Sequence, residues 1–197
     1  MLFRSAEIGL HGPMRFSRFM ELALYDPAGG YYAGGKARVG REGDFFTNIS
    51  LGPVFGEILA GQFLALWEIL GRPADFTLVE QGANDGRLAG DVLDGLAGTP
   101  LADCRLIVVE PFAPLREKQQ ARLAGRRVEW VEAPGALPDF TGVHFSNELF
   151  DALPFEILKA RAGAWELQRV QFLDGAFRLG PAEECDPGWP APSGDFT

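Results

Sequence analysis

A chain of 197 residues with 47% hydrophobic and 23% charged side chains has the length and apolar content for one domain with a sizeable core. Its net charge of −9 argues against a fold-wide grip on nucleic acid and leaves a basic protein partner open. Cys104 and Cys185 stand far apart, with only His11 and His144 beside them, so neither a disulfide framework nor a metal-ligand cluster is expected.

The opening "MLFRSAEIGLHGPMRF" is too polar and too broken for a signal peptide. The longest apolar segment, "VFGEILAGQFLALWEILG", is interrupted by Glu57, Gln62 and Glu68, which makes it amphipathic and not a membrane span. These features together predict a soluble, cytoplasmic protein.

In chain order, residues 14–25 place Phe16, Phe19, Met20 and Ala23 on one helical face, and "DPAGG" ends that helix. A Gly-rich loop with four aromatics follows from Tyr31 to Leu51, the composition of a segment that folds over a core or a ligand. A long helix is predicted from about Pro53 to Leu70, with Phe55, Ile58, Leu59, Phe63, Leu66, Ile69 and Leu70 as its apolar stripe and Gln62 the exception. Strands then alternate with helices. "FTLVE" (76–80), "CRLIVVE" (104–110), "RVEWVEA" (127–133) and "VHFSNE" (143–148) read as strands, with helices after the first two. Repeated β-α-β units with short connections predict an α/β fold around a parallel sheet. Residues 155–180 read as antiparallel strands turning at Asp174-Gly175, and the Pro/Gly-rich remainder as disordered or extended. The expected organisation is an N-terminal helical and lid region over 1–75, a cofactor-binding core over 76–155, a hairpin extension over 156–180 and a flexible tail over 181–197.

The stretch "LVEQGANDGRLAGDVL" lies where an open α/β sheet receives its ligand, at the carboxyl end of a strand. Gly82 and Gly86 lack a Cβ and so let a ligand approach the backbone. Glu80 and Asp85 disfavour a phosphate at this turn, and the spacing fits neither nucleotide-binding glycine pattern. An acid followed by Gly-x-Asn-x-Gly suits a cationic or neutral group, such as the amino-acid and sulfonium end of S-adenosylmethionine; the alternative is a turn that uses glycine for steric reasons alone. Glu110, ending the second strand, can accept hydrogen bonds from both ribose hydroxyls, or stand as an exposed strand-end carboxylate. After the fourth strand, Asn147, Glu148 and Asp151 gather polar groups that could orient a guanidinium and take a proton, or cap a short helix.

Five blocks in order, "FSRFMELALYDPAGGYY", "GREGDFFTNISLGPVFGEILAGQ", "LVEQGANDGRLAGDVL", "VVEPFAPLREKQQARL" and "SNELFDALPFEIL", resemble the MidA-like family of class I S-adenosylmethionine-dependent methyltransferases. The resemblance covers about residues 10–172. It implies a Rossmann-like sheet binding S-adenosylmethionine across the ends of its first, second and fourth strands. Glu80, Gly82 and Gly86 would line the amino-acid end, with Asn84 where many members have Gly, and Glu110 would hold the ribose. Asn147 and Glu148 would sit beside the transferable methyl. Gly43, Asp44 and Thr47 belong to the "GDFFT" lid over the cofactor. Mitochondrial members are protein-arginine methyltransferases assisting respiratory complex I assembly, which implies a protein substrate such as a respiratory-complex subunit and makes Glu148 and Asp151 the catalytic carboxylates. Family members continue through further strands, so the sheet is expected to stop after its fourth strand. That expectation raises two others: a second chain that completes the sheet, and a non-catalytic relative serving as a protein-binding or assembly module.

Overall fold

The computed structural model describes residues 2–32 and 52–194. The expected lid residues Gly43, Asp44 and Thr47 lie outside the described residues. In chain order the elements are α1 (Leu2–His11), β1 (Met14–Arg15), α2 (Phe16–Tyr25), α3 (Val54–Ile69), β2 (Thr77–Gln81), α4 (Arg87–Gly95), β3 (Arg105–Val109), α5 (Ala113–Arg122), β4 (Val128–Val131), β5 (Gly142–Ser146), β6 (Leu158–Arg161), β7 (Ala164–Leu173) and β8 (Ala176–Cys185). They divide into two compact units, one of Met1–Lys36 with Phe150–Thr197, the other of Ala37–Leu149. The boundaries differ from those expected: α3 joins the sheet and α2 joins the hairpin strands.

The unit Ala37–Leu149 carries a four-stranded parallel sheet in the order β4-β3-β2-β5. From β2 the chain steps outward through β3 to β4, then returns to lay β5 on the other side of β2. The reversal makes the carboxyl end of β2 a topological switch point, the place where open α/β sheets hold ligands. Side chains alternate across the pleat. Leu78, Leu106 and Val108 face the helices and pack with Ala60, Phe63, Leu88, Val92, Leu96 and Leu123. Val79, Ile107 and Val109 face the other way, beneath Val131, Leu137 and Phe140. Within this unit the described helices α3, α4 and α5 thus share one face, and the β4–β5 connection covers the other. Gly142 fixes where β5 lies: a Cβ built on it would stand 1.8 Å from the Thr77 carbonyl oxygen.

Backbone approach, rather than the bulkiest apolar side chains, decides how α3 packs. Its buried residues are Gly56, Ala60 and Phe63. A Cβ on Gly56 would lie 2.4 Å from Asp91 Cβ, and one on Gly95 would lie 2.8 Å from Ala60 Cβ, so α3 and α4 touch nearly backbone to backbone. Of the expected stripe, Phe55, Leu59 and Phe63 do pack against the core, and the rest is corrected. Ile58 (58% exposed), Leu66, Ile69 (79%) and Leu70 face outward. An apolar-periodicity reading ranks glycine low, although glycine is what permits the contact.

In the unit containing the termini, β7 pairs with β8 along one edge, and with β6 and then β1 along the other. The Asp174-Gly175 turn has positive φ at both positions (51° and 76°), the geometry two-residue hairpins prefer, as expected. Ala162-Gly163 repeats it (51° and 81°) between β6 and β7 without an Asn or Asp to announce it. Ile8, Met14 and Val170 are buried here with Phe16, Phe19, Leu22, Phe172 and Phe177 packed around them. α1 was not anticipated, and Met14-Arg15, expected to begin the next helix, instead pair with Val170 and Arg169 of β7. β8 runs on to Cys185 and so takes the first five residues of the expected tail.

Among the described residues no helix is long and apolar enough to cross a membrane, and no group of His, Cys, Asp or Glu could hold a metal ion.

Candidate functional site

Leaving β2, the chain turns through Gly82 (φ 76°), Asn84 (φ 49°) and Gly86 (φ 78°) before α4 begins. Left-handed geometry at these alternate positions favours glycine, and asparagine is among the side-chain-bearing residues that tolerate it best. The turn is closed by Gly86 N–H donating to Ala83 O at 2.7 Å, and tied to the neighbouring strand by Gly82 N–H donating to Val109 O at 3.3 Å. The expectation that both glycines clear room for a ligand needs correction. A Cβ on Gly82 would lie 2.8 Å from Leu149 Cδ1, and one on Gly86 would lie 3.3 Å from Gln119 Cα. Side chains of the protein occupy the space each glycine vacates, so turn geometry and packing account for them.

Packing does not account for Glu80. It continues the helix-facing alternation of Leu78, is only 2% exposed, and its Oε2 finds no hydrogen-bond partner among the described residues. Burial, aided by the negative charge of Asp85, pushes its carboxyl up to about 8. Asp85 itself is engaged elsewhere: Oδ1 accepts from the Arg87 N–H at 3.1 Å and Oδ2 from Arg122 Nη2 at 2.9 Å.

Glu110 is the second buried acid at this end of the sheet, also 2% exposed. This excludes the exposed-carboxylate alternative. Its Oε1 accepts from the Phe112 N–H at 3.1 Å and its Oε2 from Gln119 Nε2 at 3.1 Å. Burial raises its carboxyl above the usual range, and these two donors partly offset that.

Gln119 was missed from the sequence. Fully buried on α5, its Nε2 donates to the Asn84 carbonyl (2.9 Å) as well as to Glu110, and its Oε1 accepts from Trp130 Nε1 (3.0 Å). One signal could have found it: Leu115, Gln119 and Leu123 share a helical face, and Gln119 is the polar residue in an apolar line.

The structure therefore gathers Glu110 and Asn84 into one network through Gln119, with Gly86 packed against the same side chain and Glu80 nearby in β2. Among the described residues no hydrogen bond or ion pair draws Asn147 or Glu148 into it. Asn147 is half-buried just after β5. Glu148 is exposed and holds φ 52°, a conformation uncommon for a glutamate and one that often marks a functional position. Asp151 is exposed in a 3-10 turn, Phe150–Ala152, of the other unit. A separate cleft opens at the amino ends of β2 and β3, beside Asp75, Asp103 and Arg105, away from these acids.

Glu80 Oε2, buried without a donor, calls for a ligand that brings one, such as an ammonium, while the Glu110 oxygens, each holding one donor, can still accept from a diol; acids so placed repel phosphate. S-adenosylmethionine carries both an ammonium and a ribose diol. The family model described as "Putative S-adenosyl-L-methionine-dependent methyltransferase" matches residues 58–188. The chain belongs to this family. The protein arginine methyltransferase NDUFAF7 homolog, mitochondrial, of Drosophila melanogaster is 30% identical over 196 aligned residues, covering 87% of this chain and 45% of that protein. The human protein arginine methyltransferase NDUFAF7, mitochondrial, is 28% identical over 189, covering 83% and 42%. The crystal structure of a COG1565 superfamily member from Burkholderia thailandensis bound to S-adenosyl-homocysteine superposes with a TM-score of 0.73 at 32% identity, covering 91% of this chain and 48% of that one. The chain spans less than half the length of the curated relatives it matches. The resemblance read from the five blocks and the S-adenosylmethionine dependence of the family are both borne out. The cytoplasmic expectation is overturned, because the curated relatives are mitochondrial proteins by name.

Proposed function

We propose that this chain forms the S-adenosylmethionine-binding part of a methyltransferase acting on a protein arginine nitrogen. The observation that carries the reading is the unpartnered, buried Glu80 Oε2 at the switch point of the sheet, within a chain of this family. Glu80 would receive the amino-acid end of the cofactor beside the backbone of Gly82, Asn84 and Gly86, and Glu110 would accept from the ribose hydroxyls. Asn147 and Glu148 would border the transferable methyl. When bound, S-adenosylmethionine supplies a methyl group activated by its sulfonium. The protein's contribution is mainly orientation. A carboxylate at Glu148 aligns a guanidinium through paired hydrogen bonds and takes the proton that the nitrogen sheds as it gains carbon. Substitution of Asp151 tests separately its expected role as a second carboxylate. Arginine as acceptor is supported by the names of the relatives and by the acidic charge of the chain, and a respiratory-complex subunit as its source rests on the family resemblance alone.

One structural feature favours a second reading. The outer edge of β5 pairs with no strand among the described residues, which suits a second chain that completes the sheet, or a protein-binding module without turnover. Calorimetric titration of the 197-residue chain with S-adenosylmethionine and S-adenosylhomocysteine tests the cofactor site. Transfer of labelled methyl to arginine-containing proteins tests the reaction. Micromolar binding supports the proposal, and a folded chain that binds neither compound leaves the non-catalytic module.

A further inference from the structure

We infer that Gln119 is a positioning residue that sets Glu110 for ribose recognition and fixes its distance from the turn at Asn84. The inference rests on the reading of Glu80 and Glu110 as receptors for the two ends of S-adenosylmethionine.

Chemistry settles the orientation of the carboxamide. The Trp130 indole N–H is only a donor and the Asn84 carbonyl is only an acceptor. Gln119 must therefore turn Oε1 to Trp130 (3.0 Å) and Nε2 to Asn84 (2.9 Å). With that orientation the second N–H of Nε2 is committed to Glu110 Oε2 at 3.1 Å, so that oxygen is held as an acceptor. The Phe112 N–H holds the other oxygen in the same state. Each carboxylate oxygen keeps a lone pair for one of two neighbouring hydroxyls.

The same side chain ties the sites for the two ligand ends together. One N–H grips the turn that follows Glu80 and the other grips Glu110, so a single nitrogen spans the two segments. Arg122, three residues further along α5, fastens the turn again through Nε to the Asp85 carbonyl at 3.0 Å. Gln119 is fully buried, and all three of its hydrogen-bond partners are protein groups. It therefore acts through Glu110 without meeting the ligand.

The test compares two ligands on the full 197-residue chain: S-adenosylhomocysteine and its 2′,3′-dideoxyribose analogue. A charged acceptor that reads two hydroxyls gives the wild-type protein a preference of tenfold or more for the ribose compound, on the order expected for hydrogen bonds to an ionised group. Gln119→Met keeps length and bulk and removes both N–H groups. It is expected to reduce the preference to about twofold, with most of the loss falling on the ribose ligand. A residue that serves packing alone would weaken both ligands alike and leave the ratio standing, which would overturn the inference. Should Gln119→Met fail to fold, Gln119→Glu is read instead at two pH values. It can donate to Glu110 only while protonated, so its ribose preference should be present at low pH and fade as pH rises; a pH-independent preference again overturns the inference. Wild-type protein that binds both ligands equally refutes the role of Glu110, and with it that of Gln119, without touching family membership. Wild-type protein that binds neither ligand refutes the cofactor-site reading beneath both.

Discussion

Replacing Glu80 with glutamine tests the electrostatics of the site through stability, before any ligand is added. The carboxyl is pushed up to about 8 from an ordinary 4.5, chiefly by burial. A carboxyl whose folded value is raised binds its proton more tightly in the folded chain than in the unfolded one. Its favourable contribution is complete below about pH 4.5 and fades as pH rises toward 8. At roughly 1.4 kcal/mol per unit the full span is on the order of 5 kcal/mol, a large share of the ~5–15 kcal/mol that holds a typical domain together. Glutamine has nearly the same shape and no charge to bury. Glu80→Gln should therefore match the wild-type protein near pH 5 and exceed it at pH 8 by about 3–5 kcal/mol. Urea unfolding of both proteins at half-unit steps between pH 5 and 8.5 measures the difference directly. A difference that stays flat across this range would show that Glu80 is ionised in the folded chain. The unpartnered oxygen must then have a donor, and the argument for a cation-binding carboxylate collapses.

Ligand binding should read the same proton from the other side. If a cationic amino group needs ionised Glu80, S-adenosylhomocysteine affinity should rise about 20-fold from pH 6 to 7.5, and titration in buffers of different ionisation enthalpy should detect release of nearly one proton at pH 7. Gly82→Ala places a Cβ at φ 76° and 2.8 Å from the movable tip of Leu149, and should destabilise by about 1–2 kcal/mol in chemical denaturation. Two glycines of α3 should respond in opposite directions. Gly56→Ala drives a Cβ into Asp91 and should lower stability by about 1–3 kcal/mol. Gly61→Ala meets nothing within 4 Å and should raise it by up to ~1 kcal/mol through helix propensity. Equal effects at the two positions would refute the close α3–α4 contact.

Much of this fold is local information. The strands β2 and β3 carry runs of Val, Ile and Leu closed by Glu80 and Glu110, β4 and β5 mix Val with aromatic residues, and all four fall within two residues or so of the expected bounds. Glu80 and Glu110 were legible because an acid closing an apolar strand is conspicuous. What escaped depends on contacts between distant segments. The line Gly56, Ala60, Phe63 is a packing surface only because α4 presents Gly95 to it. Pairing with β7 pulls Met14 and Arg15 out of the helix their periodicity favours. Gln119 belongs to a polar helix, and its neighbour Gln120 is exposed; burial alone separates the two. The partner that fills the space at Gly82 is Leu149, which no spacing rule connects to it.

Gly142 has a consequence for how the sheet is assembled. β5 joins β2 only after α4, β3, α5 and β4 have been passed, so its pairing closes a long loop, a step expected to be slow. A parallel strand arriving then can choose the wrong register, and a slip by one residue would turn Phe145 off the face where it meets Phe63, 5.0 Å away between ring centres. The contact with the Thr77 carbonyl admits only a residue without a side chain, and in "TGVHFS" that is Gly142 alone. Shifted pairings would bring Thr141 or Val143 against the same carbonyl and be rejected by collision, so the glycine works as a steric gauge for strand alignment during folding.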